Sequence, residues 1–144
     1  MVLTLNTSAQ SIHGTYNYGK ASTGYGLLKI HEIDVNHYRF YLEIGRGAPS
    51  YNSGALYGTL KFDKKTKTAI YLPASADDCR LELKFTKNKI IVKTVGGDCG
   101  FGGGVYADAV YNLRDNKNPS FLISRANKKI YFDKTPPEKF REDN

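Results

Sequence analysis

The segment HYRFYLEI, residues 37–44, alternates without a break: Tyr38, Phe40, Leu42 and Ile44 fall on one face, and Arg39, Tyr41 and Glu43 on the other. A period of two belongs to a β-strand with one buried side and is incompatible with a helix. The pattern recurs in RLELKF at 80–85, where Leu81, Leu83 and Phe85 alternate with Arg80, Glu82 and Lys84. In ALYGTLKF at 55–62, Leu56, Leu60 and Phe62 share a face with Gly58, and a glycine inside a strand marks a bend or a close approach. Further strands are expected over 15–18, 25–33, 68–72, 90–95, 105–113, 121–124 and 129–132. Polar breaks such as GKASTG, TKNK and RANK separate them. No helical period of useful length and no internal repeat interrupts the series.

Short sequential strands with hairpin-sized links predict an all-β chain folded as a single antiparallel meander β-barrel of about eight strands, lipocalin-like in outline, because closure removes the exposed edges. A β-sandwich is the alternative. The expected interior includes Leu28, Ile30, Phe40 and Leu42, then Leu60, Leu81, Leu83 and Phe85. Outward Lys, Arg and Glu exclude a membrane barrel, whose exterior must be apolar. No run reaches the ~18 apolar residues of a membrane-crossing helix, so no transmembrane segment is expected.

The 144 residues suit one domain. Residues 1–12 read as a signal-peptide remnant or N-terminal extension, since Val2 to Leu5 is apolar and Thr7-Ser8-Ala9 offers small residues ahead of Gln10. The barrel domain is expected over 13–133. Residues 134–144, KTPPEKFREDN, have two prolines and little to bury, and are expected to form a flexible tail. The formal charge of +7 points to anionic surfaces. Its densest cluster, KFDKKTK at 61–67, reads as a solvated hairpin tip. Blocks that bind nucleic acid are longer or follow one face, so no nucleic-acid partner is expected.

Cys79 precedes the strand at 80–85 and Cys99 follows the strand at 90–95. If those strands form a hairpin about residues 87–89, both cysteines stand at its open end, and a disulfide would tie down the adjacent GFGGG. The ring of Phe101 would help to seat that glycine loop, which has little side-chain mass of its own. A disulfide in turn implies an oxidising compartment, periplasmic or secreted. The competing readings are a cysteine nucleophile activated by His13, His31 or His37, and a metal pair. Two cysteines without CxxC spacing or nearby histidines make a poor zinc site, so no metal and no cofactor are expected. A phosphate-cradling glycine loop needs a following helix, and here the chain continues into GVYADAVY, an alternating segment.

No GxSxG, HExxH or EF-hand pattern is present. Pairs such as Asp77-Asp78 or Glu32-Asp34 read as solvated turns, and the chain is read as a non-enzyme. Ten residues, GRGAPSYNSG at 45–54, form a break longer than a hairpin needs. Strand packing does not account for Tyr51 in that loop, and with Arg46 and Asn52 it forms the candidate partner-binding tip.

GTYNYG, the cysteine-led RLELKF strand and DCGFGGGVYADAVY together resemble small exported bacterial β-barrel domains of the lysozyme-inhibitor-like type, over roughly residues 13–113. SGALY at 53–57 is similar to the SGAxY segment of the membrane-bound inhibitors of c-type lysozyme. That resemblance implies an eight-stranded barrel that inserts loop residues into an enzyme cleft. It adds Ser53 and Tyr57 to the candidate contacts, and the glycine loop adds Phe101. The expectation is a non-enzymatic exported binding protein that inhibits lysozyme or another cell-wall hydrolase by occlusion. The positive charge favours instead an anionic envelope glycan or lipid, and a small hydrolase is the remaining alternative.

Overall fold

A computed structural model describes residues 11–73 and 78–142. The expected N-terminal remnant therefore lies almost wholly outside the described residues, as does Asp77. Eight antiparallel strands follow one another around a closed barrel: β1 (Gly14–Lys20), β2 (Gly24–Glu32), β3 (His37–Gly45), β4 (Ser53–Asp63), β5 (Thr68–Leu72), β6 (Arg80–Thr86), β7 (Lys89–Gly96) and β8 (Ala109–Asp115). Closure comes from β1 pairing with β8, Tyr16 opposite Leu113. β9 (Phe121–Ile123) and β10 (Lys129–Tyr131) form a separate hairpin outside the barrel. Two 3-10 turns, Phe132–Lys134 and Pro137–Lys139, follow it.

The alternation read in the sequence is the division between inside and outside. Leu28, Ile30, Phe40 and Leu60 are fully buried in the barrel, joined by Leu42, Leu81, Leu83, Phe85 and Tyr111. At ~25 cal/mol per Å² of apolar surface, each such leucine or phenylalanine stabilises the fold by about 1.5–3 kcal/mol. The centre is filled with side chains, which leaves the two rims and the outer wall as the accessible surface.

The outer wall holds a second apolar layer. Tyr41 and Tyr57 are register partners on the outward faces of β3 and β4. Leu122, Ile130 and Phe132 cover them, with Phe140 packed against the same cluster. Phe140 stacks on Tyr57 at 4.5 Å with the rings 4° from parallel. The C-terminal segment, expected as a flexible tail, meets this wall at Thr135, Phe140 and Glu142, where two outward tyrosines supply the apolar surface that its own sequence lacks. β9 and β10, within the segment expected to form the barrel domain, pair with each other and pack on the outer wall rather than joining the closed sheet.

Strand β8 begins at Ala109, four residues later than the alternation suggested. Val105 and Ala107 are buried, but the backbone there is not laddered. Asp108 Oδ1 instead accepts the Thr94 backbone N–H at 3.1 Å and its hydroxyl at 2.7 Å, and Tyr111 Oη donates to the Ala107 carbonyl at 3.0 Å.

Candidate functional site

Strand direction sorts the loops between two rims. The turns at 21–23, 46–52 and 97–108 share one rim with Cys79. Those at 33–36, 64–67 and 87–88 share the other with residues 11–13.

The first rim is a pinned cap. Cys79 and Cys99 form a disulfide across 20 residues of sequence, which removes the cysteine-nucleophile and metal-pair readings. Phe101 is 6% exposed and belongs to the core, plugging the barrel end. Gly54 allows this plug: a Cβ there would lie 2.6 Å from both Cα and the carbonyl oxygen of Phe101. Asp98 Oδ1 accepts the Gly100 N–H at 2.8 Å. The 45–54 loop joins the same cap, since Asn52 Nδ2 donates to the Gly103 carbonyl at 3.1 Å and the Arg46 guanidinium lies against Gly104. Within that loop the Arg46 N–H donates to the Asn52 carbonyl at 2.8 Å and Ala48 N–H to Ser22 at 3.0 Å.

Of the six residues expected to contact a partner, Arg46, Tyr51 and Asn52 are exposed together on this cap, with Tyr51 61% exposed. Tyr106, missed in the sequence because it was placed in a strand, is 74% exposed in the glycine loop. The other three are placed differently. Tyr57 is 6% exposed under Phe140, and its hydroxyl donates to the Thr135 carbonyl. Ser53 is engaged within the chain, its carbonyl and hydroxyl accepting from Arg125 Nη1 at 2.9 and 3.1 Å. Phe101 is a plug, turned into the barrel end. The SGALY segment therefore supports the cap from below.

The opposite rim holds a recess of about 710 Å³. Tyr16, Phe62 and Phe85 form its floor; Lys64, Lys67 and Lys87 stand around it. The basic KFDKKTK turn is the solvated hairpin tip expected, exposed over 63–67, and it supplies two of these lysines.

A cluster of Ser11, His13 and Glu32 sits on the same rim. Ser11 Oγ and Glu32 Oε2 both approach His13 Nδ1, at 2.6 and 3.1 Å. A nucleophile–base–carboxylate relay uses both ring nitrogens, one for each partner. Here serine and carboxylate compete for one nitrogen, and the arrangement ties the N-terminal segment to β2. His31 stacks on Phe132 at 5.3 Å, and His37 Nδ1 lies 3.0 Å from Asp34. Among the described residues no group of three or more His, Cys, Asp or Glu side chains is placed to hold a metal. None of their helices is long and apolar enough to cross a membrane.

Burial dominates the tyrosine chemistry. Tyr111 and Tyr41 are raised far above the ordinary phenol range by desolvation, Tyr41 also by Glu43. Desolvation also pushes Tyr16 up to about 12, as it does Tyr25, which donates to Glu43 Oε2 at 2.9 Å. These hydroxyls stay protonated and serve as donors. Comparisons with protein-family models, with curated proteins and with solved structures give no match to this chain.

Proposed function

We propose that this protein is a non-enzymatic, exported binding barrel that occludes the cleft of a protein partner with its glycine-loop cap, the partner being a cell-wall hydrolase of the lysozyme type. The observation that carries this reading is the cap itself. Arg46, Tyr51 and Tyr106 project from two loops that are bonded to one another, plugged by Phe101 and moored by a disulfide. Tyrosine and arginine are the side chains that most often anchor protein interfaces, and a tip already rigid loses little entropy on binding. Hydrolases that cleave glycosidic bonds carry paired carboxylates in their clefts. Arg46 offers a complementary charge there, which offsets long-range repulsion between two basic proteins. The disulfide supports an oxidising compartment.

The test is a lytic assay on bacterial cell walls with c-type, g-type and i-type lysozymes, titrated with the protein and with its Arg46→Ala/Tyr51→Ala/Tyr106→Ala variant. Inhibition of at least one class by the protein, weakened tenfold or more in the variant, is expected. Lysis unchanged at saturating protein removes the inhibitor reading, and equal inhibition by the variant removes the cap.

A further inference from the structure

We infer that the lysine-ringed recess at the opposite rim binds a small amphipathic anion, its head held among Lys64, Lys67 and Lys87 and its apolar body lying on Phe62, Phe85 and Leu113. This site is independent of the cap and of any hydrolase partner.

Three observations point the same way. First, the floor is apolar by construction. Phe85 meets Phe62 and Tyr16 edge to face at 5.5 and 6.4 Å, and the Tyr16 hydroxyl is taken up by the Ile12 carbonyl at 2.9 Å. A recess of about 710 Å³ lies within the range of small-molecule sites. Second, the charged side chains that line it are all lysines. Its lining includes three lysines and no carboxylate. No described ion pair or side-chain hydrogen bond engages their ammonium groups. The acids nearby have other partners: Glu32 binds His13, Asp63 accepts the Lys65 N–H, and Asp115 accepts the Lys117 N–H. Third, Lys67 has φ 55°, in the left-handed region that glycine or asparagine usually fills. A turn that needs only to reverse the chain gains nothing from lysine there, whereas a turn that places a cation at a mouth does.

An apolar floor alone would take a neutral hydrocarbon, and three lysines alone would take any phosphate. Together they select a ligand with both parts, such as a medium-chain carboxylate, sulfate or phosphate ester. The same chemistry is available from a free amphiphile or from an anionic lipid in a bilayer. The recess, sunk between turns, fits the free molecule.

Isothermal titration of the full chain with sodium decanoate below its micelle concentration tests this, with decyl maltoside, sodium acetate and inorganic phosphate as comparators. One decanoate per chain is expected, at least tenfold tighter than any comparator and weakening as salt is added. The Lys64→Gln/Lys67→Gln/Lys87→Gln variant should lose tenfold or more, and Arg46→Ala/Tyr51→Ala should bind like the parent. Amide shifts at Thr86 and Asn88 in the unaltered protein report the site without any substitution. Overturning results are decyl maltoside or phosphate binding as tightly as decanoate, undiminished binding in the lysine variant, or no decanoate binding at all. Co-sedimentation with phosphatidylglycerol vesicles without decanoate binding also overturns it, by assigning the lysines to a membrane surface.

Discussion

Among the non-glycine residues in the left-handed region, Asn88 and Asn127 are of the type that tolerates it; Tyr51 and Lys67 are not. One stands at each rim, Tyr51 on the cap and Lys67 at the recess. Replacing Lys67 with glycine removes the left-handed penalty but loosens the unfolded chain, so Lys67→Gly should stabilise by about 0.5–1 kcal/mol in urea denaturation while weakening decanoate binding. A loss of stability in that variant would mean that the lysine stem packs. Gly54 poses the opposite problem, since the Phe101 backbone fills the place of its Cβ. Gly54→Ala should therefore cost about 1–3 kcal/mol by overpacking, measured by denaturant midpoint, and should loosen the cap. At this scale the sequence was legible where one residue decides. Tyr51 stood out in a loop that strand packing could not explain, and it is exposed. Tyr57 entered the candidate contacts through the SGAxY resemblance, and five local residues say nothing of the cover over it, which comes from Phe140, 83 residues further along.

The glycine loop and the C-terminal segment both lie outside the barrel ladder, and each is held by a different device. The glycine loop at 97–108 depends on covalent mooring. Closing a loop of about 20 residues is worth ~3 kcal/mol in the chain-entropy model, so Cys79→Ser/Cys99→Ser should lower unfolding free energy by roughly that amount. Its hydrogen-exchange protection should fall first within 97–108, and decanoate binding at the far rim should survive. Protection unchanged there would show that Phe101 and Asp108 suffice. The C-terminal segment depends on aromatic stacking, with Phe140 half-buried over Tyr57 and Arg125 paired with Glu142. Phe140→Ala should cost about 1–2 kcal/mol, less than a fully buried phenylalanine, read by thermal melting with Tyr57 becoming accessible to nitration. Strands were legible because two-residue alternation is a local property. The start of β8 was not, since Val105 and Ala107 keep the alternation while Asp108 and Tyr111 divert the backbone bonds. The docked tail was equally hidden: KTPPEKF has one aromatic residue, and its meaning lies in the wall opposite.

Closure of the barrel makes one hydrophobic interior, and tyrosine is the part of it that titrates. Alternation fixed which side chains entered that interior, so the fold could be read. The recess could not, because the segments around 11–16, 62–67, 85–88 and 113–116 meet only once the barrel closes. Burial, both inside the barrel and beneath the layer on its outer wall, sets the behaviour of the whole molecule in alkali. Tyr16 and Tyr25 are held up to about 12, and Tyr41, Tyr57 and Tyr111 higher still, mainly by desolvation of the phenolate. In the unfolded chain each releases its proton near pH 10. Below pH 10 both states carry the protons, and the stability they confer is complete. Above it the unfolded state gains by ionising while the folded state cannot, so stability falls as pH rises through the folded values. Urea midpoints should thus hold steady to about pH 9.5 and drop steeply between roughly pH 10 and 12. Absorbance at 295 nm should show the buried phenols ionising together with the loss of β-sheet circular dichroism, after the exposed ones. Both cysteines are bonded, so no free thiolate complicates the disulfide in that range. A midpoint flat to pH 11.5, or all 11 tyrosines ionising in one ordinary wave with the sheet intact, would mean that water reaches these hydroxyls, inside the barrel and beneath its outer layer alike.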